Sequence, residues 1–339
     1  LAQLALVFVF AVHLLCVNVA SAGPLVCVWL EWCEGRGNAL AGEAGRYLAR
    51  WALWLLLPGG LLGVVIGWLL WDAQYQAVLG QLSSKVFFGV WEVFFSFALM
   101  AVQLFWWQKQ PQCRPWQRGL RMVLLLLASS NLLYHFPILF AVIEQLATST
   151  ADADAAEKIS GSEFRTFLAQ PAILARALHF VLAAIATCGI VLLGYALRMM
   201  RHKRDAADIQ RVAAWGGQIA LVPTLLQIPV GLWLTFTLPP TAQHAATGGD
   251  FAATTLFLLS IMGAFALMQT LAAIAIGDVE RGRLIRAIVL LVVVVVLMGG
   301  VLQRLRAMAH ARRASANANA NVSQQFDPVD PVRALTVSS

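Results

Sequence analysis

Charge is scarce in this sequence. Only 12% of its 339 residues are Asp, Glu, Lys or Arg, and 60% are hydrophobic; a soluble domain carries about 25% charged residues. Mean hydropathy is +0.74. That balance excludes a soluble enzyme and a nucleic-acid binder, and domain counting by length does not apply. Cysteine is scarce too. Of the five, Cys16, Cys27 and Cys188 lie in apolar runs, and Cys33 and Cys113 are expected in short polar loops. No CxxC or CxxCH occurs, which excludes a thiolate zinc site and a covalent c-type haem. The chain begins with Leu, which an alternative start codon and a missing beginning would both give. Its first apolar run lacks a basic flank and a small-residue cleavage site, so it reads as a retained helix.

Long apolar runs are what the sequence has in abundance. A spanning helix needs about 20 apolar residues, and eight runs qualify, at roughly 2–28, 47–71, 84–107, 120–146, 172–197, 213–238, 251–276 and 284–306. The predicted fold is an all-α integral membrane protein whose spans form two four-helix bundles, 1–4 and 5–8, without a visible repeat. Pro58, Pro223 and Pro229 lie inside spans and are expected to kink them, which neighbouring helices tolerate. Residues 1–307 read as the bundle. Residues 308–339, rich in small polar residues, read as an outer tail without its own core.

The positive charges alternate by side. The connections after spans 1, 3, 5 and 7 hold Arg36, Arg46 and Arg50; Lys109, Arg114, Arg118 and Arg121; Arg198, Arg201, Lys203, Arg204 and Arg211; and Arg281, Arg283 and Arg286. The other connections hold Lys85, Lys158, Arg165 and Arg176, with Asp152, Asp154, Glu157 and Glu163 in the longest. The basic side is assigned to the cytoplasm of a bacterial inner membrane, so both termini face outward.

Four polar groups sit within the spans: His13 in span 1, Glu92 in span 3, His135 in span 4 and His179 in span 5. At 1.5 Å rise per residue all four fall in one layer roughly 10 to 16 Å below the outer surface. Ionisable groups at that depth are costly and mark function by default. Met262 of span 7 lies at a similar depth. Ala175, Ala183 and Ala186 share a face with His179, and Gly263 and Ala264 follow Met262, which leaves room for a flat macrocycle. His and Met are common axial ligands of haem iron. The plain alternative is open for each: His13, His135 and His179 could hydrogen-bond to a neighbouring helix, Glu92 could partner a histidine or relay protons, and Met262 could pack in the core. His202, His244 and His310 lie outside the spans and read as solvated.

Three stretches resemble subunit I of the cytochrome bd-type quinol oxidases. "FLAQPAILARALHFVLAAIATCGIVLLGYALRMMRHKRD" is similar to the family's fifth helix, with His179 on the histidine that ligates the low-spin b haem. "LVFVFAVHLLCVNVASAGPLVCVWLEW" is similar to its first helix, with His13 on the haem-ligand histidine, Gly23 near its Gly, Glu31 on its later Glu, and Asn18 in place of a Pro. "FLLSIMGAFALM" resembles the segment that places Met262 on the methionine partner of the low-spin haem. Glu92 and "SSN" at 129–131 echo the third and fourth helices. The resemblance implies a membrane cytochrome b subunit of a respiratory-type complex near the outer face. One or two b haems would be held by His179 with Met262 and by His13 with Glu92 or with His135, which matches no ligand position of the family and would replace the one lost here, and the family pattern includes a further haem. Other membrane subunits and a periplasmic cytochrome or quinol would be its partners.

The departures are specific. The family's long quinol-binding loop between helices 6 and 7 is reduced to "PPTAQHAATGGD", Ser260 replaces an Arg, and the ninth helix with its Glu ligand has no counterpart. Two other functions stay open: an oxidase that reduces oxygen with quinol, and a transporter or structural subunit whose polar layer lines a path. The orientation has its own test. Alkaline phosphatase fused after Gly80, Ser160 or Ala245 is expected to be active, and fused after Arg36, Gln112, Arg204 or Val279 inactive; the opposite pattern overturns the assignment.

Overall fold

The computed structural model describes residues 2–148 and 157–325; residues 149–156, with Asp152 and Asp154, and 326–339 lie outside the described residues. The elements are α1 (Ala2–Gly35), α2 (Ala39–Leu69), α3 (Ala73–Gln81), α4 (Ser83–Lys109), α5 (Pro115–Thr148), α6 (Gly161–Leu168), α7 (Pro171–Arg201), α8 (Ala206–Thr237), α9 (Pro240–His244), a π turn (Ala245–Gly249), α10 (Phe251–Ala275) and α11 (Arg281–Gln325). Eight of these are long and apolar enough to cross a membrane: α1, α2, α4, α5, α7, α8, α10 and α11. They are the eight runs of the sequence, and the all-α membrane architecture is as expected. Large apolar side chains such as Phe88, Trp91, Phe94 and Phe236 lie exposed on the outside of the bundle, as lipid contact requires.

The ends of the helices follow from local chemistry. The α1–α2 turn is only three residues, and Gly37 supplies the positive φ (+94°) that it needs. Asn38 then caps α2 by accepting from the Ala41 amide at 3.2 Å. Cys33, expected in a loop, is helical, because α1 continues past the apolar run to Gly35. Ser160 and Glu163 form a capping box at α6, and Pro171 opens α7 in its first turn. α2 runs through Pro58, and α8 through Pro223 and Pro229, without a break in the helix.

The last helix differs from its sequence reading. Residues 308–325 continue α11 rather than leaving it as a tail. Ion pairs hold the helix where the apolar run ends: Arg304 to Asp250 at 2.8 Å, Arg306 to Glu144 of α5, and His310 to Asp72 at 3.6 Å. His310 is therefore not simply solvated. Asp250 also caps α10 through the Ala253 amide, and the hydrogen bonds from Arg304 and from that amide hold its carboxyl down at about 2. These contacts went unforeseen because each joins positions far apart in the sequence.

Within the bundle α1 packs on α2 and α5, α4 on α5, α7 on α8, and α10 on α8 and α11, while α1 against α7 and α11, and α5 against α7, join the first four spans to the last four. Small residues line the tightest seams. A Cβ on Gly23 of α1 would lie 2.7 Å from the Ala52 Cβ of α2. A Cβ on Gly189 of α7 would lie 2.5 Å from both the Gly216 carbonyl oxygen and the Ala220 nitrogen of α8. Backbone cannot yield as a flexible side chain can, so α7 and α8 must part to admit even one methyl. Gly189→Ala is expected to destabilise the folded protein by ~1–3 kcal/mol, the usual cost of overpacking, read by unfolding in mixed micelles. A neutral result would show that the seam is looser than the backbone contact implies.

Candidate functional site

The four polar groups of the layer occupy three separate helix seams. His13 of α1 faces α2, and its Nδ1 lies 2.8 Å from the Gly59 carbonyl oxygen. A carbonyl only accepts, so Nδ1 carries the proton and Nε2 keeps its lone pair. Gly63, one turn further along α2, gives the ring its space: a Cβ there would meet the His13 Cε1 at 3.1 Å. This is the arrangement in which a backbone carbonyl orients a metal-binding imidazole. It is reached because Gly59 and Gly63 let α1 approach α2 closely on that face.

His179 lies in the α7–α8 seam. Its ring faces Gly231, where a Cβ would lie 3.8 Å from Cε1. Its Nδ1 is buried and has no hydrogen-bond partner among the described residues. Gln227 of α8 donates to the His179 backbone oxygen at 3.3 Å. A buried polar atom without a partner is unusual in a folded protein and calls for an occupant.

His135 and Glu92 meet in the α4–α5 seam. Nδ1 of His135 is 2.7 Å from a Glu92 oxygen and 3.2 Å from the Asn131 side-chain oxygen. Asn131 donates in turn to Ser96 and to the Glu92 backbone oxygen. The side chains of His135 and Glu92 are 45% and 27% exposed, so the pair lies open on the flank of the bundle. It answers one alternative from the sequence, since Glu92 partners a histidine. It also separates His135 from His13, which bonds to Gly59 instead.

Met262 is 67% exposed. It stands about 200° around α10 from buried Ser260, on the face turned away from the packed side. α10 packs against α8 and α11 and shares no substantial interface with α7. Packing therefore does not bring Met262 to His179. Equivalent depth along the membrane normal, which suggested the pair, says nothing about where a residue sits around its helix.

Sequence reasoning missed a second polar centre at the basic end of the first four spans. Arg121, read as a topology charge, is fully buried with its Nε 2.6 Å from a Glu31 oxygen. Its other nitrogens donate to the Gln110 carbonyl at 2.9 Å and approach the Cys113 sulfur at 3.1 Å. Gln103 of α4 reaches Glu31 at 3.4 Å, while the Trp107 indole donates to Glu34 at 2.6 Å. The signal was in the sequence: Glu31, Glu34 and Gln103 fall on helices otherwise rich in apolar residues. Breaking such a pair leaves one charge buried and uncompensated. Arg121→Ala or Glu31→Ala alone is expected to cost ~3–5 kcal/mol, and Glu31→Leu with Arg121→Met much less. Equal losses in the single and double variants, by unfolding in mixed micelles, would refute the coupling.

A bd oxidase from Geobacillus thermodenitrificans has a similar solved structure, with a TM-score of 0.64 over 92% of this chain and 86% of that chain, at 14% sequence identity. The likeness is one of fold, and at that level it bears out the bd-type relationship read from the helices. No protein-family model matches the sequence, and no curated protein matches it.

Proposed function

We propose that this chain is a cytochrome b subunit of a respiratory membrane complex, with haem b held in the histidine layer near the periplasmic face of a bacterial inner membrane. The observation that carries this reading is the buried, unpartnered Nδ1 of His179 facing Gly231. His13 fits the same group, with Nδ1 donating to Gly59, Nε2 free and Gly63 leaving room beside the ring. The bd-type fold supports it from outside the chain. When bound, haem iron supplies a one-electron couple whose potential depends on its ligands and burial.

The chain's own residues divide the work. His179 and His13 are the groups that would hold iron. Gly59 fixes the His13 tautomer, and Gly63 and Gly231 keep side chains away from the two imidazoles. Met262, His135 and Glu92 fall outside this holding set, Met262 for its exposure and the other two because they bond to one another. The half-exposed His135–Glu92 pair would be costly against lipid, which supports a partner membrane subunit on the α4–α5 flank. Electrons would be exchanged with a periplasmic cytochrome or with quinol.

A reduced-minus-oxidised spectrum with pyridine haemochrome quantitation tests the reading. One or two b haems per chain are expected. His179→Ala should lose one of them, and Met262→Ala should retain the wild-type content. Protein purified under haem-replete conditions without a Soret band, or an unchanged spectrum in His179→Ala, would refute the assignment. The bd-oxidase likeness also favours a second reading, a terminal oxidase that reduces oxygen with quinol. Carbon monoxide binding to the reduced protein distinguishes it from a six-coordinate carrier.

A further inference from the structure

The basic end of the bundle carries a cleft that the histidine layer does not use. A cavity of about 510 Å³ opens there, where Arg36 of the α1–α2 turn, Arg204 of the α7–α8 turn and Arg211 of α8 converge with Glu43 and Asp208. Arg204 pairs with Glu43 at 3.1 Å. Among the described residues, Arg36 and Arg211 are in no ion pair, so the lining holds three guanidiniums against two carboxylates.

Arg36 is not free to swing away. Its guanidinium stacks on the Trp32 ring at 3.8 Å. Trp32 in turn lines a second cavity, of about 540 Å³, with an apolar wall that includes Trp29, Ile185, Ile219 and Val222. α8 contributes to both cavities; the first is otherwise lined mostly by the α1–α2 turn and the start of α2, the second mostly by α1. On α8, Arg211 lines the first and Gln218 the second, about 10 Å further into the membrane by helical rise. α1 and α8 both pack on α7, which floors the gap between them with Ile185, and Trp29 bridges it by an edge contact to Trp215 at 5.8 Å. The cationic cavity at the basic end and the apolar cavity further along α8 thus follow one another along the same helix, with the Trp29–Trp215 contact between them.

We propose that the two cavities together bind an anionic phospholipid, with its phosphodiester among Arg36, Arg204 and Arg211 and an acyl chain along Trp29, Trp32 and Val222. Guanidinium forks match phosphate oxygens. Basic pockets between spanning helices recognise anionic headgroups for this reason. Charge complementarity alone would also suit a free phosphate, but an apolar cavity about 10 Å further along α8 suits the acyl chain of an amphiphile. The inference rests on the membrane-spanning bundle and is independent of haem.

The test uses the full chain, delipidated in detergent, with thermal stability followed against phosphatidylglycerol, phosphatidylcholine and inorganic phosphate. Phosphatidylglycerol is expected to raise the melting temperature saturably, phosphatidylcholine much less and phosphate not at all. Arg36→Gln with Arg211→Gln should weaken the phosphatidylglycerol response about thirtyfold. Val222→Trp, which fills the apolar cavity and leaves the arginines, should weaken it as well. Equal responses of the wild type to the two lipids would overturn the proposal without reliance on any variant. So would a wild-type phosphatidylglycerol response in the double variant. A shift reproduced by phosphate and untouched by Val222→Trp would mean a free-anion site and would equally end it.

Discussion

Two helix seams, α1 against α2 and α7 against α8, are so close that a methyl group has no place in them. Gly23 abuts Ala52, and Gly189 abuts the backbone of Gly216 and Ala220. In a bilayer the lipid tails are as apolar as leucine, so helices gain nothing by hiding leucine from lipid; they associate through close packing and hydrogen bonds. The close seams are thus the framework of the bundle, and α1 joins the first four spans to the last four through its contacts with α7 and α11. The histidine layer depends on them. His13 reaches Gly59, and His179 faces Gly231, because glycine lets the helices come that near.

The polar groups obey one rule with different outcomes. Within the bilayer each must find a partner in the protein. Glu31 and Arg121 find each other at 2.6 Å, with both side chains fully buried. His135 finds Glu92, and Thr187 and Thr224 return their hydroxyls to carbonyls one turn back, at 2.7 Å each. His179 Nδ1 has no partner among the described residues, as is also true of Asn18 Oδ1, Gln103 Oε1 and Gln303 Nε2. Asn18 and Gln103 are anchored through their amide nitrogens to Thr187 and Glu31, and it is an unpartnered imidazole nitrogen facing Gly231 that makes His179 the focus of the proposed cofactor site.

Charge works differently at the two ends of the bundle. At the end away from the arginine-rich loops, α11 sets Arg304, Arg306 and His310 against Asp250, Glu144 and Asp72. These basic residues weaken a count of positive charges by side, yet each has an acidic partner. At the basic end, Arg36 and Arg211 have none among the described residues, and an apolar cavity follows further along α8. A count of charges treats all of these alike; only their pairing separates a structural clamp from a surface open to a ligand.

The sequence by itself determined the eight spans and the all-α membrane architecture. Hydropathy and rise per residue are properties of one helix at a time, so they are legible along the chain. Only the tertiary structure decided that the layer is split among three seams, that Met262 faces outward, and that Arg121 is buried against Glu31. Those outcomes depend on which helices become neighbours and on how far each is turned about its own axis. A turn of 100° per residue carries a side chain from core to lipid without changing its depth. The continuation of α11 beyond residue 307 was hidden because that segment's own composition offers no apolar face to signal a helix; of the ion pairs of α11, His310 to Asp72 falls within it.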